Sequence, residues 1–108
     1  LRGDFFVYDA IIRNLDSSDE TTSTTDISWE TYDNGTNTSL TFYYGTIDMG
    51  NQSTGWASSL NLGISSVGNH STTVSGLSWG TTYYGRIQAS NHENTDWFGP
   101  ISWTTDYL

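Results

Sequence analysis

The chain has 108 residues, a formal net charge of −9 and no cysteine, so it has the size of one domain and no disulfide holds it. Its 3 basic residues are all arginines, too few to replace the counterions of a nucleic acid, and the same acidity opposes binding to an anionic membrane surface. No apolar run approaches the length of a membrane span, so we expect no membrane insertion. Aromatic residues form 15% of the sequence, and each buries a large area, so they can build the core.

Apolar residues alternate with polar ones along most of the chain, which predicts antiparallel strands with one buried face. The strands are predicted, in chain order, at Phe5–Ile12, Asp26–Tyr32, Ser39–Thr46, Trp56–Leu62, Ser71–Leu77, Thr82–Ser90 and Ile101–Tyr107. Turns rich in Gly, Asn and Ser separate them, and residues 91–96 are read as one such turn. About seven short strands at this spacing predict an all-β sandwich.

The alternation also assigns the two faces of each strand. The residues expected to face the core are Ile27, Trp29, Leu40, Phe42, Tyr44, Tyr83, Ile87, Ala89, Ile101 and Trp103. Those expected on the opposite face include Ser28, Glu30, Thr41, Arg86, Gln88 and Ser102.

Three segments of the sequence are similar to one known family. Leu77–Tyr83, with the sequence Leu-Ser-Trp-Gly-Thr-Thr-Tyr, resembles the Leu-x-Pro-Gly-Thr-x-Tyr segment of fibronectin type III domains. The alternating strand that begins at Tyr83 and the segment Ile101–Thr105 resemble the last two strands of that family, and Trp29 stands where the family has its core tryptophan. The resemblance extends over roughly residues 11–107. The stretch from Tyr43 to Trp56 is similar to a version of the domain that is common in large surface proteins of environmental bacteria.

The resemblance implies a fibronectin type III-like antiparallel sandwich of about seven strands. It also implies a tyrosine corner, in which the Tyr83 hydroxyl bonds a backbone group a few residues upstream. Gly85 replaces an inward apolar residue of the family pattern, and we expect this to leave room for a neighbouring ring. The function implied is a non-catalytic module outside the cell or at its surface, such as a tandem spacer, a filament subunit or a receptor.

The family pattern begins near Ala10, so residues 1–9 form an apolar arm or linker strand and residues 10–108 the sandwich. The candidate assembly residues are Phe5, Phe6, Val7, Tyr8 and Ile11. An exposed arm of this composition is prone to aggregate, so it requires a covering surface. It either packs on its own domain as a longer first strand or docks on a neighbouring copy or module as an added strand. The second alternative builds a filament.

Aromatic residues in turns and on outward faces are a second candidate for function. Trp79, Trp97 and Phe98 lie in predicted turns or strand edges, and Tyr43 and Tyr84 point outward by alternation. Rings on a surface with polar rims suit sugar stacking or protein contact. They predict either a glycan- or protein-binding accessory module or an interface between tandem modules.

Four Asn-x-Ser/Thr sequons lie in or beside predicted turns, where a glycan would point into solvent. Their asparagines are Asn34, Asn37, Asn51 and Asn69. A chain so rich in Asn, Ser and Thr also produces such triplets by chance. The tripeptide Arg2-Gly3-Asp4 matches an integrin motif but stands at the start of the chain, where we interpret it as a coincidence.

The sequence has no catalytic constellation, and we expect no enzyme and no cofactor. His70 and His92 fall in predicted loops, and no nucleophile elbow, zinc-protease helix or phosphate loop is present. Oxygen donors for Ca²⁺ exist at Asp33, Asn34, Asn37 and Asp48, but only the start of this spacing resembles a calcium loop. Turn chemistry explains the same residues, because Asn and Asp side chains bond their own backbone in turns.

Overall fold

The computed structural model describes residues 9–108 and contains seven strands. They are β1 (Ile11–Ser18), β2 (Thr25–Asp33), β3 (Ser39–Gly45), β4 (Ser58–Ile64), β5 (Gly68–Val74), β6 (Thr82–Ser90) and β7 (Thr95–Thr104). Three strands form one sheet in the order β1-β2-β5, and four form the other in the order β4-β3-β6-β7. All neighbouring strands are antiparallel. The prediction of an all-β sandwich of about seven strands is confirmed.

The core lies between the two sheets and is built by the inward residues that alternation assigns. Phe42, Ile27 and Ile87 are fully buried at its centre. Trp103 stacks between Phe42 and Tyr83, with ring centroids 6.1 Å and 5.7 Å away. Successive side chains of a strand point to opposite faces, so these rings all lie on the inward faces of their strands. Because each ring buries a large area, a modest number of apolar residues suffices for a continuous core.

Two features implied by the family resemblance are present at the start of β6. The Tyr83 hydroxyl accepts a hydrogen bond from the backbone N–H of Ser78 at 2.8 Å. Gly85 faces the core, and a methyl group built there would overlap the ring of Phe42. The missing side chain therefore makes the space that the Phe42 ring fills.

Strand boundaries differ from the predicted ones in four places. The turn before β7 consists of residues 91–94 only, so β7 already begins at Thr95. The Asn91 side-chain oxygen accepts from the N–H groups of Glu93 and Asn94, and the Asn91 N–H donates to the Asn94 carbonyl. β1 begins at Ile11, so it shares only two residues with the predicted strand Phe5–Ile12, of which residues 5–8 lie outside the described residues. It continues through polar residues to Ser18, since pairing with β2 does not require a buried side chain at each position. β4 begins later than expected, at Ser58, and β5 starts at Gly68 and ends at Val74.

The two edges of the sandwich differ. At one edge β1 and β7 lie against one another, whereas β4 and β5 at the other edge do not come into contact.

The two ends of the sandwich, which we call its poles, are formed by different loops. The N-terminal pole contains Asp9 and residues 33–38 and 91–94, and the C-terminal pole contains residues 19–24, 75–81 and 105–108.

Candidate functional site

The outer face of the four-stranded sheet carries the partly exposed aromatic residues. Tyr43 on β3 lies opposite Arg86 on β6, and Trp97 on β7 lies opposite Gln88. The Tyr43 and Trp97 rings meet across β6 with centroids 5.6 Å apart and planes tilted by 39°. Tyr84 lies on the same face, paired with Ser102. We call Tyr43, Tyr84, Arg86, Gln88 and Trp97 the aromatic face.

Arg86 connects this face to the loop of residues 46–57 between β3 and β4. Its guanidinium donates two hydrogen bonds to the Asp48 carboxylate and one to the Asn51 side-chain oxygen, each at 2.8 Å. Hydrogen bonding to Arg86 holds the pKa of Asp48 below its usual value. Trp56 closes the same loop through its indole N–H, which donates to the Gln52 carbonyl at 2.8 Å. The loop is thus held against the sheet by side chains rather than by strand pairing.

Phe98 does not belong to the aromatic face, contrary to its predicted place at an exposed strand edge. It lies opposite the buried Ile87 and is packed against the core. The register shift beside Gly99-Pro100 returns β7 to the inward phase at Ile101. Trp79, by contrast, is 52% exposed in the turn before β6, as expected from the sequence.

The C-terminal pole has an exposed apolar patch formed by Trp79, Tyr107 and Leu108. Tyr107 is 72% exposed, and its ring meets that of Trp79 edge-on at 5.9 Å. The Tyr107 ring also covers Gly80, where a side chain would collide with it. An exposed cluster of large rings at one end of a domain suits contact with another protein surface.

The open edge between β4 and β5 forms a cleft that we call the edge cleft. One part, of about 400 Å³, is lined by Trp29, Asn61, Leu62, Ile64, Ser65, Ser66, His70, Ser71 and Thr72. A second part, of about 320 Å³, lies toward the C-terminal pole and is lined by Tyr44, Gly45, Thr46, Ala57, Ser58, Ser75, Gly76, Leu77 and Tyr83.

Side chains at the base of the edge cleft are fixed by hydrogen bonds and stacking. The buried Ser65 hydroxyl accepts from the Trp29 indole N–H at 3.3 Å and bonds the Thr31 hydroxyl at 2.7 Å. His70 belongs to β5 and not to a loop as predicted. Its ring stacks on Trp29 at 5.7 Å, and its Nε2 lies 2.6 Å from the Ser66 carbonyl oxygen. These contacts fix the orientation of the side chains at the base of the cleft.

Sequence reasoning missed the edge cleft, although one signal for it was present. Between Asp48 and Arg86 the sequence contains no Asp, Glu, Lys or Arg, and both strands that border the cleft fall in this interval. Uncharged strands at the edges of sheets are unusual, because charges normally protect such edges from pairing.

The N-terminal arm lies largely outside the described residues, so the expectations for Phe5, Phe6, Val7 and Tyr8 remain predictions. Ile11, grouped with them, is half exposed but pairs with Asp33 within its own sheet. Asp9 precedes β1, and burial raises the pKa of its carboxyl, with the nearby Asp96 carboxylate acting in the same direction. Ala10 is buried in the core.

The four sequon asparagines, Asn34, Asn37, Asn51 and Asn69, are all exposed in the structure. Exposure is required for glycosylation but does not test it, so their use remains a prediction. Asn51 differs from the other three because Arg86 already binds its side-chain oxygen.

The oxygen donors considered for calcium do not converge. Asp33 caps its own turn by accepting from the Gly35 N–H at 2.9 Å, whereas Asp48 is paired with Arg86 beyond the other end of β3. Within residues 9–108, no group of three or more His, Cys, Asp or Glu side chains is arranged to hold a metal ion. The same part of the chain has no helix of the length and hydrophobicity needed to cross a bilayer.

Comparisons with known proteins support the fold and no finer assignment. No protein-family profile and no curated protein sequence matches the chain. Similar solved structures include a myokine, with a TM-score of 0.66 and 12% identity over 90% of this chain and 97% of that chain. A computationally redesigned β-sandwich protein has a TM-score of 0.62 and 23% identity over 90% of this chain and 95% of that chain.

A third similar structure is the sensor domain of the anti-sigma factor RsgI4 from Pseudobacteroides cellulosolvens. It has a TM-score of 0.58 and 19% identity, covering 92% of this chain and 96% of that chain. These neighbours and the two-sheet architecture define the chain as an antiparallel β-sandwich domain. At such identities the likeness extends to the fold alone.

Proposed function

We propose that this chain is a fibronectin type III-like, non-catalytic module of an extracellular or cell-surface assembly, joined to neighbouring copies or modules. The observation that carries the proposal is the position of the two chain ends. The chain enters β1 from the N-terminal pole and leaves β7 at the C-terminal pole, separated by the length of β2, about 30 Å. Modules with ends at opposite poles join end to end.

Apolar residues at the C-terminal pole and in the sequence ahead of the N-terminal pole are suited to such joints. Trp79 and Tyr107 are exposed at the C-terminal pole, and the sequence before the N-terminal pole is Phe5-Phe6-Val7-Tyr8. An exposed apolar patch at one pole and an apolar sequence ahead of the other favour contact with further modules. We propose that the arm docks on a neighbouring copy, which extends the assembly as a filament.

The test compares the size of the full chain with that of an arm variant, Phe5→Ser with Phe6→Ser and Val7→Ser, by light scattering and negative-stain imaging. We expect the full chain to form concentration-dependent oligomers or filaments and the arm variant to remain monomeric. The matched control is Tyr84→Ser, which removes an aromatic ring from the aromatic face and leaves the arm intact. A full chain that is monomeric at all concentrations would overturn the assembly proposal.

The aromatic face supports a second candidate function, glycan binding by an accessory module. The Tyr43 and Trp97 rings lie beside Gln88, so apolar rings and a hydrogen-bonding amide share one surface, as sugar recognition requires. Titration with a broad glycan panel tests this function through tryptophan fluorescence. We expect a response that Trp97→Ala abolishes and Trp79→Ala retains. No response to any glycan would contradict this function.

A further inference from the structure

We propose that the edge cleft is the acceptor site for the N-terminal arm of a second copy, with residues 1–8 added as a strand to the free edge of β4. This inference rests on the proposed assembly and specifies its interface. The two parts of the cleft lie along β4, one at Ser58 and the other from Asn61 through Ile64 to the Ser65–Ser66 connection. They provide space beside an unpaired strand edge for the side chains of one more strand.

The β4 edge is more open to pairing than the edges at the other side of the sandwich. β1 carries Arg13 and Asp16 and has register shifts, and β7 is interrupted by a bulge at Gly99-Pro100. Charges, prolines and bulges are the features that prevent edge strands from pairing with other chains. β4 has no charge and no proline. Its pairing with β3 has one register shift, at Leu62, and is regular from Ser58 to Asn61.

The chemistry of the cleft fits an apolar strand better at β4 than at β5. Leu60 and Leu62 are only partly buried against the core, and Ile64 at the end of β4 is 70% exposed. β5 instead presents Asn, His, Ser and Thr along most of its length. An added strand with large apolar residues at successive positions would cover the β4 leucines with one face, while its backbone bonds the free edge.

The length of the arm matches this site, and its starting point favours a second copy. Eight extended residues reach about 26 Å, and the seven-residue β4 is about 23 Å long. Asp9 lies near Asp96 of β7, three strands from β4, so an arm folded onto its own domain would first cross about 14 Å of sheet. Only about half of the arm would then remain to pair, whereas the arm of a neighbouring copy can use its full length.

The absence of cysteine in the chain allows a direct test with single-cysteine variants of the full-length protein. Asp4→Cys in one copy is mixed with Asn61→Cys in another under mild oxidation, and the mixed disulfide is quantified by mass spectrometry. The control partner is Ser102→Cys, which is exposed on the aromatic-face side of β7. We expect the Asn61 pair to form roughly tenfold more mixed disulfide than the Ser102 pair, because docking raises the effective concentration of the two thiols.

A second variant tests the site without cross-linking. Ile64→Lys places a charge at an exposed position of the cleft, so folding is little affected, but an apolar strand would be repelled. We expect it to weaken self-association roughly tenfold, while Ser102→Lys has little effect.

The outcomes separate this inference from the assembly proposal. Arm-dependent association with equal disulfide yields at Asn61 and Ser102, and with no effect of Ile64→Lys, would overturn the acceptor site and leave the assembly intact. A disulfide that forms only within an Asp4→Cys and Asn61→Cys double variant, at any dilution, would show that the arm fills its own cleft and would also overturn the inference.

Discussion

Tyr83 joins the turn of residues 75–81 to the core with both ends of its side chain. Its hydroxyl accepts the Ser78 N–H, and its ring stacks on Trp103. Thr105 closes the same corner, since its hydroxyl donates to the Ser78 carbonyl and accepts the Thr81 N–H at 2.9 Å. One phenol and one hydroxyl thus satisfy partly buried backbone groups of the turn that have no strand partner.

We predict that Tyr83→Phe lowers the free energy of unfolding by about 1–2 kcal/mol, because the Ser78 N–H loses its acceptor while the ring remains. Urea denaturation measures the change. Tyr84→Phe, on the outward side of the same strand, is the matched control and should change stability by less than about 0.5 kcal/mol. Equal losses in both variants would contradict the tyrosine corner as a stabilising contact.

Gly85→Ala should destabilise the domain by about 1–3 kcal/mol, since its methyl group would overlap the Phe42 ring. Phe42→Leu relieves that overlap, so the double variant should lose less than the sum of the two single changes. Additive losses in thermal unfolding would show that the two positions are not in contact.

The Asp9 carboxyl has a raised pKa, so it favours folding less as the pH rises above the usual aspartate range. We predict that Asp9→Asn increases stability at neutral pH, because it removes a partly buried charge beside Asp96. The gain should vanish toward pH 3, where the Asp9 carboxyl of the unsubstituted protein is protonated in both the folded and the unfolded state. Melting temperatures measured from about pH 3 to 8 check this, with Asp19→Asn as an exposed control.

The loop of residues 46–57 is tied to the outer face of the four-stranded sheet by the Arg86 side chain. Arg86 supplies three hydrogen bonds to Asp48 and Asn51, while the loop has no strand of its own. The lowered pKa of Asp48 means that this attachment is complete above the usual aspartate pKa and is lost as the pH falls through the lowered one.

We predict that Arg86→Gln frees this loop while the sandwich stays folded. Limited proteolysis should cut within residues 47–57 at least several times faster, with little change in the global unfolding transition, because local opening need not unfold the core. Arg13→Gln is the control, as its ion pair with Glu30 is exposed and lies in the other sheet. Unchanged cleavage in Arg86→Gln would show that the loop is held by other contacts.

In the proposed assembly, net charge and apolar contact have opposite effects on self-association. A net charge of −9 repels neighbouring copies, whereas the proposed contacts through the arm, the open edge and the C-terminal pole would hold them together. We predict that salt strengthens self-association of the full chain between about 50 mM and 500 mM NaCl, because screening removes the repulsion and leaves apolar contact unaffected. Sedimentation measurements at both ionic strengths test this, and weaker association in salt would indicate an interface dominated by ion pairs.

The alternation in the sequence determined the strands and the inward faces of β2, β3 and β6, because each side chain in a strand points to a side fixed by parity. Family-like motifs likewise predicted the Tyr83 corner and the space at Gly85. The tertiary structure alone decided that Phe98 turns inward at a bulge and that Arg86 reaches across to Asp48. It also decided that His70 and Trp29 meet beside a cleft. These contacts join residues distant in the chain, and sequence periodicity reports which face a residue takes but not which strand lies beside it.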